Sequence, residues 1–190
     1  MAVVTALRER GRRVEVELDG TPWRTLPLDA AARVGLRIGL ELDRPRLREL
    51  RRELRRNAAG ARALRALRAR DLAAAELERR LQRGGFTAGE RADTLSRLER
   101  TGFLDDRRLA EARACALAGR GYGDAAVRWD LERRGLAAEH VDAALGGLEP
   151  EPERAAAIVA ERGSGPATAR LLARRGFGED AVAAAAGADG

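Results

Sequence analysis

One short pattern, Leu-x-Arg-x-Gly-apolar, is written three times in this chain. The copies are Leu81-Gln82-Arg83-Gly84-Gly85-Phe86, Leu131-Glu132-Arg133-Arg134-Gly135-Leu136 and Leu172-Ala173-Arg174-Arg175-Gly176-Phe177. Their leucines lie 50 and 41 residues apart. Each copy closes a run rich in alanine and arginine with helical spacing, and a second short helical run follows. A supersecondary unit returning every 20–50 residues or so describes a stacked array, in which neighbours bury each other's apolar faces. It argues against a globular enzyme built around one pocket.

The helical grammar can be followed residue by residue. Asp71 is a candidate start for a helix whose buried stripe holds Leu77 and Leu81 and whose end is Gly84-Gly85. Glu90 to Arg100 carries Leu95 and Leu98 and stops at Gly102. Asp105 or Asp106 is placed to cap the next helix, with Leu109 and Ala112 on its stripe. The Gly119–Gly123 segment is a turn. Helices are expected over Ala125–Arg134 and Ala138–Leu145. Glu149-Pro150-Glu151-Pro152 reads as a stiff acidic linker. A last trio covers Glu153–Arg162, Ala167–Arg175 and Glu179–Ala186, and the small-residue end, Ala181 to Gly190, is expected to fray.

The first 56 residues have another texture. Val14, Val16 and Leu18 alternate with polar residues, the period of a half-buried strand. Asp19-Gly20 is a two-residue hairpin signal, and Thr21 to Leu26 is the return strand, with Trp23 as its anchor and Pro22 marking an edge or a strand start. Ala2 to Leu7 offers a third strand. Leu28 to Val34 is a short helix closed by Gly35, Leu36 to Leu42 an extended or loop segment, and Pro45 to Arg56 helical. A break is expected at Asn57–Gly60. The expected fold is therefore mainly α: tandem three-helix, helix-turn-helix-like repeats in an elongated curved array, behind a small β-hairpin module. The divisions are residues 1–56, 61–104, 105–148 and 149–186.

Chemistry-bearing sets are scarce. One cysteine, Cys115, excludes an internal disulfide and reads as a small core residue. One histidine, His140, excludes a histidine-based zinc site and a Ser-His-Asp triad, and it is expected at the surface. Asp105-Asp106 point in different directions on a helix, which suits a cap better than a metal site. Glu15 and Glu17 share a strand face without a cleft to work in. Gly119–Gly123 lacks the Lys-Ser/Thr ending of a phosphate-binding loop. No signal peptide is apparent at the N-terminus, and no apolar run is long enough to span a membrane. The expectation is a cytoplasmic binding protein, not an enzyme, with no cofactor and no metal.

Charge supplies the positive evidence. All 36 cationic residues are arginine, against 30 acidic ones, for a net charge of +6. Most arginines belong to solvated helix faces paired at helical spacing, as Glu76 with Arg79 or Arg80. The excess suits a nucleic-acid or nucleoprotein partner. Arg128, Arg133 and Arg134 beside Trp129 could form a DNA-reading helix, but the same glycine turn recurs three times, and one reading helix needs only one.

The order of motifs resembles the RecX family of bacterial regulatory proteins. The resemblance is carried by Leu67-Arg68-Ala69-Arg70-Asp71 with Glu76 to Leu81, by Gly102-Phe103-Leu104-Asp105-Asp106, by Arg120-Gly121-Tyr122-Gly123 with Leu131 and Gly135-Leu136, and by Leu172 to Phe177. It covers residues 61–180 well and 1–56 more loosely. Ala73 stands where the family usually has serine, so Asp71 is expected to cap in its place. Leu109 replaces an aromatic, and Leu117 an arginine.

The resemblance implies three tandem helical repeats, binding to the RecA recombinase filament on single-stranded DNA, and inhibition of its strand-exchange, ATPase and coprotease activities. It places the chain in DNA repair and the SOS response, as a monomer with at most weak direct DNA contact. The alternative is a sequence-tolerant DNA-binding protein acting through phosphate contacts. Candidate contact residues are Arg79, Arg80 and Arg83, then Arg120, Arg128, Arg133 and Arg134, then Arg174 and Arg175. Tyr122 and Trp129 are read first as core, second as partner anchors.

Overall fold

The computed structural model describes residues 2–187. The chain divides into two compact units. One holds the chain up to Ala69 together with Arg80–Arg97. The other holds Arg70–Arg79 and everything from Leu98 onward.

The first unit opens with three strands, β1 (Ala2–Arg10), β2 (Arg13–Leu18) and β3 (Thr21–Pro27), then helix α1 (Leu28–Arg33) and a two-residue strand β4 (Glu41–Leu42). All pairings are antiparallel, in the order β3-β2-β1-β4. The segment Ala2–Leu7 thus belongs to a full inner strand. Asp19 (φ 49°) and Gly20 (φ 78°) make the tight β2–β3 turn. The Asp19 carboxylate accepts the Val3 N–H at 2.9 Å and binds that turn to β1.

Val4, Val14, Val16, Leu26, Leu40 and Leu42 line the sheet's covered face, with Ala31 of α1 and Leu50 of the next helix packed on it. Trp23 is not the anchor. It lies at the surface of the edge strand with Arg24 over its ring at 5.6 Å, and Leu26 takes the buried position.

Helix α2 (Arg44–Ala69) is one piece of 26 residues. Asp43 caps it, accepting the Arg46 N–H at 2.9 Å. The break expected at Asn57–Gly60 is absent, because Gly60 has a packing role. A β-carbon there would fall 2.2 Å from the Arg97 guanidinium, which crosses the helix at that point. Loss of about 1 kcal/mol in helix propensity buys this close approach. No helix among the described residues is long and apolar enough to cross a membrane.

Eight more helices follow: α3 (Ala74–Arg83), α4 (Ala88–Arg100), α5 (Asp106–Ala118), α6 (Asp124–Arg134), α7 (Ala138–Gly146), α8 (Glu151–Arg162), α9 (Pro166–Arg174) and α10 (Glu179–Ala186). The three copies of the repeated pattern fold alike. Leu81, Leu131 and Leu172 are fully buried. In each copy the N–H of the final apolar residue returns to that leucine's carbonyl, at 3.3, 3.3 and 3.1 Å. This is a Schellman turn, and its closing glycine has positive φ (Gly85 74°, Gly135 86°, Gly176 76°).

In the second unit, α5, α6 and α7 enclose one core of Ala110, Ala114, Leu117, Val127, Leu131, Val141 and Ala144, joined by Ala73 and Leu136. A further core, Ala155, Ala169, Leu172, Phe177 and Ala185, holds α8 to α10.

Several expectations are corrected. Cys115 is exposed, and Ala114 beside it takes the core place. Ala112 faces out as well. Half of the expected acidic linker is helix: α8 starts at Glu151 with Pro152 in its first turn, where a missing N–H costs nothing. In the small-residue end, Glu179–Ala186 is helical with Ala185 buried, and residues 188–190 lie outside the described part.

Candidate partner-binding surface

The second unit contains one joint built twice. In each case the N-terminus of a middle helix needs partners for its free N–H groups. Helix α3 starts at Ala74, three residues beyond Asp71, and its Ala74 N–H is taken by the Asp106 carboxylate at 2.9 Å. Helix α6 starts at Asp124, whose N–H is taken by the Glu151 carboxylate at 2.6 Å. Asp106 and Glu151 are the first residues of α5 and α8. Neighbouring Asp105 caps its own helix through the Arg108 N–H at 2.9 Å. The Asp-Asp pair is therefore a double cap, and among the described residues no acidic, histidine or cysteine cluster could hold a metal ion.

The turn glycines complete the joint. A β-carbon on Gly135 would fall 2.9 Å from Ala75 Cβ, and one on Gly176 would fall 2.8 Å from Ala126 Cβ. The second version is the tighter one. The Gly123 and Ala125 N–H groups donate to the Arg175 and Gly176 carbonyls at 2.9 and 3.1 Å. Arg154 lies at the centre, 9 % exposed. It donates to the Tyr122 and Glu149 carbonyls at 2.8 and 2.9 Å and pairs with Asp124.

This framework sorts the candidate arginines. Arg79 belongs to the first joint, donating to the Ala75 and Arg134 carbonyls at 3.2 and 3.5 Å. Arg128 reaches Asp142 at 2.7 Å, and that bond holds its pKa above the usual guanidinium value. Arg134 pairs with Asp130 at 2.9 Å. Asp130 is gripped first by Arg113, through two bonds of 2.9 and 3.0 Å, and its pKa is pulled down to about 2. Arg113 and Arg154 are structural arginines that spacing alone does not single out, since their carboxylate partners lie 17 and 30 residues away.

Of the others in this unit, Arg120, Arg133 and Arg174 are exposed and Arg175 is half-buried. Arg133 is exposed, with its guanidinium over the Trp129 ring at 5.0 Å. Trp129 is 60 % exposed, so it is a surface residue. Tyr122 is half-buried against the α5–α7 core, with Arg120 and Arg175 near its ring at 5.5 and 6.0 Å. Arg174 is exposed. Among the described residues, Arg120, Arg133, Arg174 and Arg175 have no carboxylate within 4 Å.

Arg80 and Arg83 belong to the first unit, Arg80 half-buried and Arg83 exposed. There the Schellman turn is held by Arg55, which donates to the Gly85 carbonyl at 2.6 Å and grips Glu90 through two bonds. Glu90 also closes a capping box with Thr87. Arg55 is the first cause of the Glu90 pKa falling to about 2.

Two helical triplets with cores of their own, α5 to α7 and α8 to α10, define the class as a helical protein with a small antiparallel sheet at its N-terminal end. The comparisons narrow that class. Residues 105–145 match the family model described as RecX, second three-helix domain. The regulatory protein RecX of Deinococcus radiodurans is 36 % identical over 149 residues, covering 73 % of this chain and 71 % of that one. The regulatory protein RecX of Trichlorobacter lovleyi is 33 % identical over 135 residues, covering 63 % and 88 %.

A solved structure of a regulatory protein RecX superposes with a TM-score of 0.79, at 18 % identity, over 95 % of this chain and 97 % of that one. The RecX structure from Lactobacillus salivarius gives 0.59 at 15 %, over 68 % and 93 %. The chain belongs to the RecX family: it is a regulatory protein and not an enzyme.

Proposed function

We propose that this chain binds in the groove of the RecA filament on single-stranded DNA and inhibits its recombinase, ATPase and coprotease activities. It does so as a cytoplasmic monomer serving DNA repair and the SOS response. The observation that carries this reading, beside family membership, is the contrast among the arginines. Arg113, Arg128, Arg134 and Arg154 are matched by internal carboxylates, whereas the exposed Arg120, Arg133 and Arg174 and the half-buried Arg175 have none among the described residues. Unmatched guanidiniums suit a partner with acidic protein surface and phosphate side by side. Residues 61–104, 105–148 and 149–186 act as three triplets behind the 1–56 module. Weak contacts carried on one chain add through effective concentration.

The test is RecA ATPase on single-stranded DNA with increasing amounts of this protein. Loss of turnover at or below equimolar ratio is expected, and unchanged turnover at equimolar protein would refute the reading. A second reading, sequence-tolerant DNA binding, is favoured by one feature: Trp129 with Arg133 over its ring is a platform on which a base could stack. Gel shifts on bare DNA across a salt series separate the two. The first reading expects weak binding that the filament greatly strengthens, the second a steep salt slope indifferent to RecA.

A further inference from the structure

A cleft of about 520 Å³ opens in the second unit, beside the tighter joint. Its walls mix two kinds of group. Ala118, Leu148, Ala157 and Ile158 are apolar, and Arg120, Arg162 and Arg175 are cationic. Gly121 forms part of the wall and shows how closely the two kinds meet. A β-carbon on it would fall 2.5 Å from the Arg175 guanidinium and 3.5 Å from the Ile158 terminal methyl. Arg120 and Arg175 are both held within 6.0 Å of one phenol ring, that of Tyr122. Neither they nor Arg162 have a carboxylate within 4 Å among the described residues. Elsewhere in this unit, arginines held in place by the fold, such as Arg113 and Arg154, are given one. Arg175 donates to the Gly121 carbonyl at 3.4 Å, but neither cation has a counter-ion, and an incoming anion would supply one.

We infer that this cleft takes a carboxylate-bearing, apolar-flanked segment of a partner protein, the carboxylate between Arg120 and Arg175 and an apolar side chain against Ile158. Two further wall residues, Glu149 and Glu161, decide against a nucleic acid. They repel the evenly spaced charges of a phosphodiester chain, whereas a peptide can meet the arginines with one acidic group and turn neutral residues toward the glutamates. The inference rests on the filament reading above and names the part of the surface that meets protein.

Cys115 reports on the cleft directly, since it lines it, is exposed, and is the only cysteine of the chain. The experiment follows the alkylation rate of Cys115 by mass spectrometry on the full-length protein, alone, with RecA filament on single-stranded DNA, and with that DNA alone. Cosedimentation records filament binding in the same samples. The filament is expected to slow alkylation by at least about fivefold, through occupancy of the site. DNA alone should leave the rate unchanged. Reversing the two exposed cations (R120E/R162E) should restore the free rate.

Cosedimentation without protection of Cys115 overturns the cleft assignment and leaves the filament reading standing. Equal protection by bare DNA overturns it in favour of phosphate. Full protection of the charge-reversed variant overturns the role of the arginines. Absence of cosedimentation removes the filament reading and this inference with it. Should the variant lose its helical circular dichroism, the wild-type arms alone decide.

Discussion

The two joints of the second unit share one plan and differ in stiffness. In the first, a single carboxylate oxygen of Asp106 meets the Ala74 N–H, and Gly135 packs on Ala75. In the second, Glu151 takes two N–H groups, those of Asp124 and Gly178, at 2.6 and 3.0 Å. Backbone meets backbone directly at Gly123, and Arg154 is buried in the middle. The difference shows how a repeat protein grades its own rigidity: the geometry recurs, and the number of backbone groups satisfied across each joint varies. Such grading matters in an array whose stability is a sum of unit and interface terms.

The sharpest way to break the comparison is steric. Gly123→Ala puts a methyl 2.3 Å from the Gly176 carbonyl oxygen, and neither backbone can move without losing hydrogen bonds. A loss of about 3–4 kcal/mol is expected. Gly135→Ala meets side chains alone, Ala75 at 2.9 Å and Arg79 at 3.7 Å, with added strain from its positive φ, and about 2 kcal/mol is expected. Chemical denaturation with the slope held in view measures both. Equal losses would mean that the two joints are equally stiff.

How much of this was legible beforehand follows from distance along the chain. The turns were legible, because leucine, arginine, glycine and an apolar residue specify a Schellman ending within six positions. The joints were not. Asp106 and Glu151 act on residues 32 and 27 positions away, and a cap delivered from another helix leaves no local spacing. Asp71 looks like the cap only when the chain is read locally. Cys115 and Ala112 were misplaced for another reason. In an alanine-rich helix the buried stripe (Ala110, Ala114, Leu117) hardly differs in composition from the exposed face, so period alone does not orient it. The candidate arginines are legible as residues, because arginine is the chain's cationic side chain. Which of them are matched by carboxylates needed the fold.

The next expected effect compares the two capping carboxylates. Glu151→Ala strands two N–H groups and should cost about 2 kcal/mol, and Asp106→Ala strands one and should cost about 1. Asp105→Ala, which removes an ordinary N-cap, gives the reference value for α5, also about 1 kcal/mol. If Glu151→Ala cost no more than Asp105→Ala, the second joint would owe nothing to its double acceptor.

Acid sharpens the comparison between units. Asp130 in one and Glu90 in the other are both held near a pKa of about 2 by arginine, below their ordinary values of 3.8 and 4.5. A carboxyl lowered on folding stabilises the fold above its unfolded pKa, and that contribution fades as pH falls through the folded one. Stability should therefore be flat near neutrality and decline from about pH 4.5 toward pH 2. Asp130→Asn and Glu90→Gln should each flatten that decline. The loss at pH 7 should be larger for Asp130, which joins α6 to α5 through Arg113 and also holds Arg134 within α6. Urea midpoints taken from pH 7 to pH 2.5 would show it, and a decline unchanged in both variants would sink the assignment.

The smallest expected effect is the one that keeps the joints separate from the surface. Trp129 lies on α6, between the residues of the two joints, yet it is 60 % exposed and touched by Arg133. If stability resides in the joints, Trp129→Ala should change unfolding by no more than about 0.5 kcal/mol, as for a surface substitution. Trp129 in a Trp23→Phe background should emit at the wavelength of a solvated indole. A loss of 2 kcal/mol or more, or a blue-shifted emission, would return Trp129 to the core. The large aromatic would then be holding α6 in place, and the graded joints would no longer account for the rigidity of the unit.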